Sequence, residues 1–367
     1  MTVGARSIRR AALAALAHTR ADLLFQPFFG GIGAILTLHR VMDASTPYLN
    51  RDLAVSTTFL EALIVFVRQT GYDIVTLDEA RRRIIEGNEG RRFVCFTFDD
   101  GYADNYLRAL PAFRKHAAPM TVYVTTGMID RSADYWWGTL EKLIMREPAI
   151  VVASADGKFS HATATPGEKM AVFDLLCAQV HSDMHRYRPM LTALFARYGV
   201  DVHQAQDEDA LSPAQLIGLA ADPLVEIGAH SVSHRALAHL SLAQADHELR
   251  RSRALLEQRI GKNIRHFSYP YGSFDTCGKR EYALARDCGY ATATTTRHGT
   301  LSTAHRNRLH ALPRIPVIGR LQSSAVMRMQ LSGMFAPLNR WLPEAPADAA
   351  PEVPGLTHDS GPTETTA

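Results

Sequence analysis

Short apolar runs rich in β-branched residues recur along the chain, separated by amphipathic stretches. They fall at 35–38, 73–76, 93–98, 121–125, 224–229, 266–269, 290–295 and 315–318. Strands that are apolar throughout belong where both faces are buried, so their alternation with helical patterns predicts a parallel sheet covered by helices. One intervening helix is explicit. Ser241 and Gln244 form an S-x-x-Q capping box, Ala245, Leu249, Ser252 and Leu256 repeat on one face, and Gly261 sits where a C-terminal cap belongs.

Polar chemistry collects just after these runs. Asp99 and Asp100 follow 93–98, His230 follows 224–229, Pro270-Tyr271-Gly272 follows 266–269, and His39 follows 35–38. Sites gathered at the carboxyl ends of parallel strands are how α/β barrels build active centres. The segment 132–222 has helical patterning and few strand signals, and reads as a helical insertion over the barrel mouth. The division expected is an N-terminal amphipathic segment at 1–30, a barrel at 31–322 and a disordered tail at 343–367, which is rich in Pro, Ala, Glu and Thr.

Composition narrows the partners. The chain has 367 residues, a formal net charge of +3 and no Lys/Arg block suited to a phosphate backbone, which argues against nucleic acid. Its four cysteines, Cys95, Cys177, Cys277 and Cys288, lack C-x-x-C spacing and read as reduced core thiols. Arg6, Arg9 and Arg10 precede a short apolar run at 11–17 that lacks a clear cleavage site. No apolar run reaches the ~18 residues of a membrane span. The expectation is a cytoplasmic protein whose N-terminal helix lies on the domain or on a membrane surface.

Asp-Asp-Gly alone is a turn signature, and one His-x-x-x-His among 16 histidines is weak evidence. Together, each ending a strand, they supply one oxygen and two nitrogen ligands for a zinc-like ion and leave one carboxylate over. Thr97-Phe98-Asp99-Asp100-Gly101 with His230-Ser231-Val232-Ser233-His234 resembles the first two motifs of the polysaccharide deacetylase family, carbohydrate esterase family four. The resemblance runs from about residue 35 to residue 318, omitting the insertion, and implies a distorted (β/α) barrel. It also implies removal of an N-acetyl group from an amino sugar in a polysaccharide or its precursor. On it, Asp99 is the general base, Asp100, His230 and His234 bind a divalent metal, most simply zinc, and Tyr271 supplies an oxyanion N–H.

Two departures from the family pattern matter. Ser268 stands where the third motif has an Arg that orients the catalytic Asp; Arg314 is the candidate replacement, the alternative being a structural or surface Arg. No L-x-x-H follows the third motif, but one ends at His39. In a closed barrel the first and last strands are neighbours, so a circularly permuted arrangement would make His39 the general acid, the alternative being a histidine satisfied beneath a loop. Pro270 and Tyr271, with Trp136 and Trp137, are candidate sugar contacts. Adjacent indoles cannot both face one core on a helix, so one is expected to be exposed or to line a groove, the alternative being core packing of at least one. Two rivals share these residues: a deformylase or other C–N hydrolase of the superfamily, and an idle carbohydrate-binding relative.

Overall fold

The computed structural model describes residues 22–154 and 157–335. The expected N-terminal segment therefore lies outside the described residues up to residue 21, and the expected tail at 343–367 lies wholly outside them.

Seven parallel strands close into a ring: β1 (Gly33–Leu38), β2 (Phe93–Phe98), β3 (Met120–Val124), β4 (Val225–Ala229), β5 (His266–Ser268), β6 (Thr292–His298) and β7 (Leu312–Pro316). Each pairs with the next in chain order, and β1 pairs with both β2 and β7, which closes the barrel. All residues of β1, β2 and β3 are buried, as their unbroken apolar character requires. The run at 73–76 is the exception among the eight. Only Asp73–Ile74 forms a strand, and it pairs with the start of β2 outside the ring.

Register sets the height of the chemistry. Leu38 lies opposite Phe98, and the Asp99 N–H donates to the Leu38 carbonyl at 2.9 Å. His39 and Asp99 therefore leave neighbouring strands at one level. The closing β1–β7 seam brings the first strand, which delivers His39, against the last, which carries Arg314.

The segment between β3 and β4 carries the helices Trp136–Arg146, Pro166–Ser182, Met184–Arg197 and Val202–Asp209. It also contains an antiparallel pair, Ala149–Ser154 with Gly157–Ala162, that the helical reading did not foresee. Its apolar side chains form a second core around Trp136, Trp137, Leu140 and Phe173. The helix Leu242–Ile260 has the expected capping box and ends at Gly261 with φ +65°. All four cysteines are free thiols. Among the described residues no helix is long and apolar enough to cross a membrane.

Candidate active site

Asp99 and Asp100 end β2 inside the barrel mouth, each 2% exposed. Arg314, fully buried on β7, grips Asp99 from the seam. Its Nη1 donates to Oδ1 at 2.7 Å and its Nη2 to Oδ2 at 2.6 Å. Three further bonds fix the guanidinium: Nε to the Thr295 carbonyl at 2.9 Å, Nη1 to Thr97 Oγ1 at 3.2 Å and Nη2 to Ser268 Oγ at 2.9 Å. Ser268, at the position where the family motif has Arg, thus accepts a bond from the guanidinium that grips Asp99. Burial disfavours an ionised Asp99, but Arg314 and then His230 outweigh it and hold the carboxyl below its ordinary range.

Asp100, His230 and His234 converge on one point, with ligand-capable atoms all within 4.8 Å of one another. Asp100 Oδ1 lies 3.4 Å from His230 Nε2 and 3.1 Å from His234 Nε2, and accepts no hydrogen bond although it is buried. A buried carboxylate oxygen without a hydrogen-bond donor, facing two imidazole nitrogens, fits a divalent cation. His230 Nδ1 meets the Ser268 carbonyl at 2.7 Å, which turns Nε2 inward as metal-ligating histidines require. Against the cost of burial, His234 and His230 hold the Asp100 carboxyl well below its usual value.

His39 stands beside this group, and burial pushes its imidazole below the ordinary value against the pull of Asp100 and Asp99. Tyr271 follows β5 with φ +61°, and its ring centroid lies 5.0 Å from that of His234. Pro270 is buried beside it. Among the described residues, four of the six non-glycine residues with positive φ are Asp100, Ser231, His234 and Tyr271. Left-handed backbone at such residues costs of order 1–3 kcal/mol each and persists only where the surroundings over-determine it.

The family model described as Polysaccharide deacetylase matches residues 86–293, more than half of the chain. The chain belongs to the polysaccharide deacetylase family. No curated protein matches it. Among solved structures it is similar to the Streptococcus pyogenes deacetylase PplD in complex with acetate, with 17% identity, 81% of this chain and 97% of that chain covered, and a TM-score of 0.53. It is also similar to IcaB from Ammonifex degensii (17% identity, 82% and 98% covered, TM-score 0.52). A de-N-acetylase from Aggregatibacter actinomycetemcomitans aligns at 13% identity, with 81% and 99% covered and a TM-score of 0.51. At these identities the likeness establishes a shared fold: the polysaccharide deacetylase barrel.

Three supports of this deacetylase-family site carry no motif signal. Glu248, on the helix Leu242–Ile260, straps the His230–His234 loop. Its Oε2 accepts the N–H groups of Val232 (2.7 Å) and Ser233 (2.9 Å), and its Oε1 accepts the Ser233 hydroxyl at 2.6 Å. The available hint was a glutamate on the face shared by Ala245, Leu249 and Ser252. Arg40, next to His39, bonds Asp104 at 2.9 Å and Asp209 at 2.8 Å, while Asn105 Nδ2 donates to the His39 carbonyl at 2.8 Å. Asp209 in turn accepts the Tyr135 hydroxyl at 2.7 Å, which ties the segment above the barrel to the His39 strand.

The tryptophans follow the core-packing alternative and correct the expectation of an exposed indole. Neither indole is exposed: Trp136 is 4% and Trp137 7% accessible. The two rings stand at 83° and face different neighbours, His181 for Trp136 and His234 for Trp137. Trp137 also donates its N–H to the Tyr102 hydroxyl at 2.8 Å. The helix therefore buries both faces, one against the inserted segment and the other against the site.

Proposed function

We propose that this family member is a divalent-metal-dependent hydrolase that removes the N-acetyl group of an amino sugar in a polysaccharide or its precursor. The observation that carries the reading is the Arg314-clamped carboxylate of Asp99 beside the Asp100, His230 and His234 convergence. A carboxylate locked in orientation next to a cation position is the equipment of water-dependent amide cleavage.

In this reading Asp100, His230 and His234 hold the cation, which supplies Lewis acidity toward the acyl oxygen and the attacking water. Asp99 accepts the proton of that water as it adds to the amide carbonyl. Arg314 keeps the base ionised and fixes its direction. His39, level with Asp99 on the neighbouring strand, delivers a proton to the departing amine nitrogen, so that acetate and a free amino sugar result. Tyr271, beside His234, borders the acyl end of the substrate. Against the binding-only alternative, Arg314 contributes the contact to Asp99 that Ser268 does not.

The test is acetate release from N-acetylglucosamine oligomers and from a UDP-linked N-acetyl sugar, by zinc-loaded wild type and Asp99→Asn. Wild type is expected to release acetate, and the variant to bind metal yet lose about 10² to 10⁴ in rate. Formate release from N-formyl substrates without acetate release would replace the acyl group in the reading. No product from metal-loaded wild type would sink it.

A further inference from the structure

A second convergence of ligand-type side chains lies at the opposite end of the barrel from Asp99. His266 opens β5, Glu226 lies near the start of β4, and Asp78 is in the first turn of the helix Leu77–Glu86. One nitrogen and two carboxylate oxygens from these residues lie within 4.8 Å of one another. His266 is 2% exposed, and its Nδ1 meets Thr292 Oγ1 at 2.8 Å, which aims Nε2 at the carboxylates.

The local geometry repeats that of the upper site. His266 Nε2 and Asp78 Oδ1 stand 3.3 Å apart, both buried, and neither completes a hydrogen bond. Asp100 Oδ1 stands in the same relation to His230 and His234. In each case an imidazole anchored through Nδ1 faces a carboxylate oxygen that lacks a hydrogen-bond donor. The outer oxygen of Asp78, Oδ2, has Arg265 Nη1 at 3.3 Å, so Oδ1 is the one left facing inward. Glu226 accepts the N–H groups of Leu77 at 2.7 Å and Asp78 at 3.2 Å, and the Thr121 hydroxyl at 2.9 Å. These three donors hold its carboxylate in place beside Asp78. A cleft of about 160 Å³, lined by all three residues together with Lys262 and Asn263, opens the position to solvent.

We propose that Asp78, Glu226 and His266 form a second divalent-cation site of zinc type, which ties the helix Leu77–Glu86 to strands β4 and β5 at the amino end of the barrel. One imidazole and two carboxylates suit a borderline ion such as zinc better than magnesium or calcium, which prefer all-oxygen shells. With Nδ1 engaged by Thr292 Oγ1, Nε2 is the ring nitrogen left to hold an ion. The ion would also offset two carboxylate charges that face one point.

Zinc stoichiometry of chelator-stripped full-length protein decides it, read by calorimetric titration and by metal analysis after gel filtration. Wild type is expected to bind two equivalents tightly, and His266→Ala and Asp78→Asn one each. His230→Ala is expected to keep one equivalent, which the double variant His230→Ala/His266→Ala loses. A single equivalent in wild type that disappears in His230→Ala overturns the lower site and leaves the deacetylase reading standing. A single equivalent that survives His230→Ala and disappears with His266→Ala establishes the lower site and removes the metal from the upper. Two equivalents that persist in both His266→Ala and Asp78→Asn also overturn the proposal. Asp78→Asn preserves size at a side chain 42% exposed, so its count stands if His266→Ala folds poorly.

Discussion

Arg314 on strand β7 and Asp99 just past the end of β2, with β1 between the two strands, meet inside the barrel through two parallel hydrogen bonds of 2.7 and 2.6 Å. Both side chains are essentially inaccessible, at 0% and 2%. A bidentate pair of this kind orients the carboxylate as well as neutralising it, which a lysine could not reproduce. Removing one partner strands a buried charge. Arg314→Met is therefore expected to destabilise the protein by about 3–5 kcal/mol, and Asp99→Asn in the same chain to recover much of that loss. Urea unfolding of the two single variants and the double variant measures the coupling. Additive effects would mean that the pair does not carry the energy its geometry implies.

A general acid is needed only when the leaving group is poor. If His39 protonates the departing amine, His39→Ala is expected to slow N-acetyl amide hydrolysis by about 10² to 10⁴ at unchanged metal content. An aryl acetate, whose phenolate leaves without a proton, should be hydrolysed at nearly the wild-type rate. Equal losses on the two substrates would assign His39 to binding or structure instead. The substrate pair matters because His39 neighbours Arg40, whose bonds to Asp104 and Asp209 anchor this strand end.

Most of the barrel was legible because its strands are continuous apolar runs, and a run buried on both faces needs no long-range information to be recognised. The Asp99-Asp100 and His230–His234 groups were legible for a related reason: each follows a strand, so chain order alone placed them at one end. What sequence could not supply was partnership across the ring. Arg314 sits in a strand flanked by prolines, and nothing local distinguishes an interior guanidinium from a surface one. Glu248 looked like another charge on an amphipathic helix. The indoles misled because burying both faces of the helix Trp136–Arg146 takes two separate neighbours, supplied by segments distant in sequence. The run at 73–76 carried a true strand signal, but not whether that strand would enter the ring.

Glu248 acts on the proposed metal ligands only through the loop it straps. Glu248→Ala leaves His230 and His234 in place but frees the N–H groups of Val232 and Ser233, on a loop already carrying positive φ at Ser231 and His234. Zinc affinity is expected to fall about 10- to 100-fold, the usual loss when support behind a ligand is removed. Competition with a chromophoric chelator reads this directly. Affinity within a factor of two of wild type would show that the loop holds its shape without the strap.

Glu141, on the helix Trp136–Arg146, gives the fold a pH dependence of its own. It is 7% exposed, accepts the Leu49 N–H at 2.5 Å, and burial raises its pKa from 4.5 to about 7. Between those two values the folded chain binds a proton that the unfolded chain has released. Stability therefore falls as pH rises through this window and levels off above about 7. From pH 5 to pH 8 this single group should cost about 2–3 kcal/mol, since each tenfold change in proton affinity is worth ~1.4 kcal/mol. Glu141→Gln keeps an oxygen for the Leu49 N–H but cannot titrate. Its unfolding free energy, measured in urea at both pH values, is expected to drop less than that of wild type by that amount. The same pH dependence in both proteins would place the titration elsewhere.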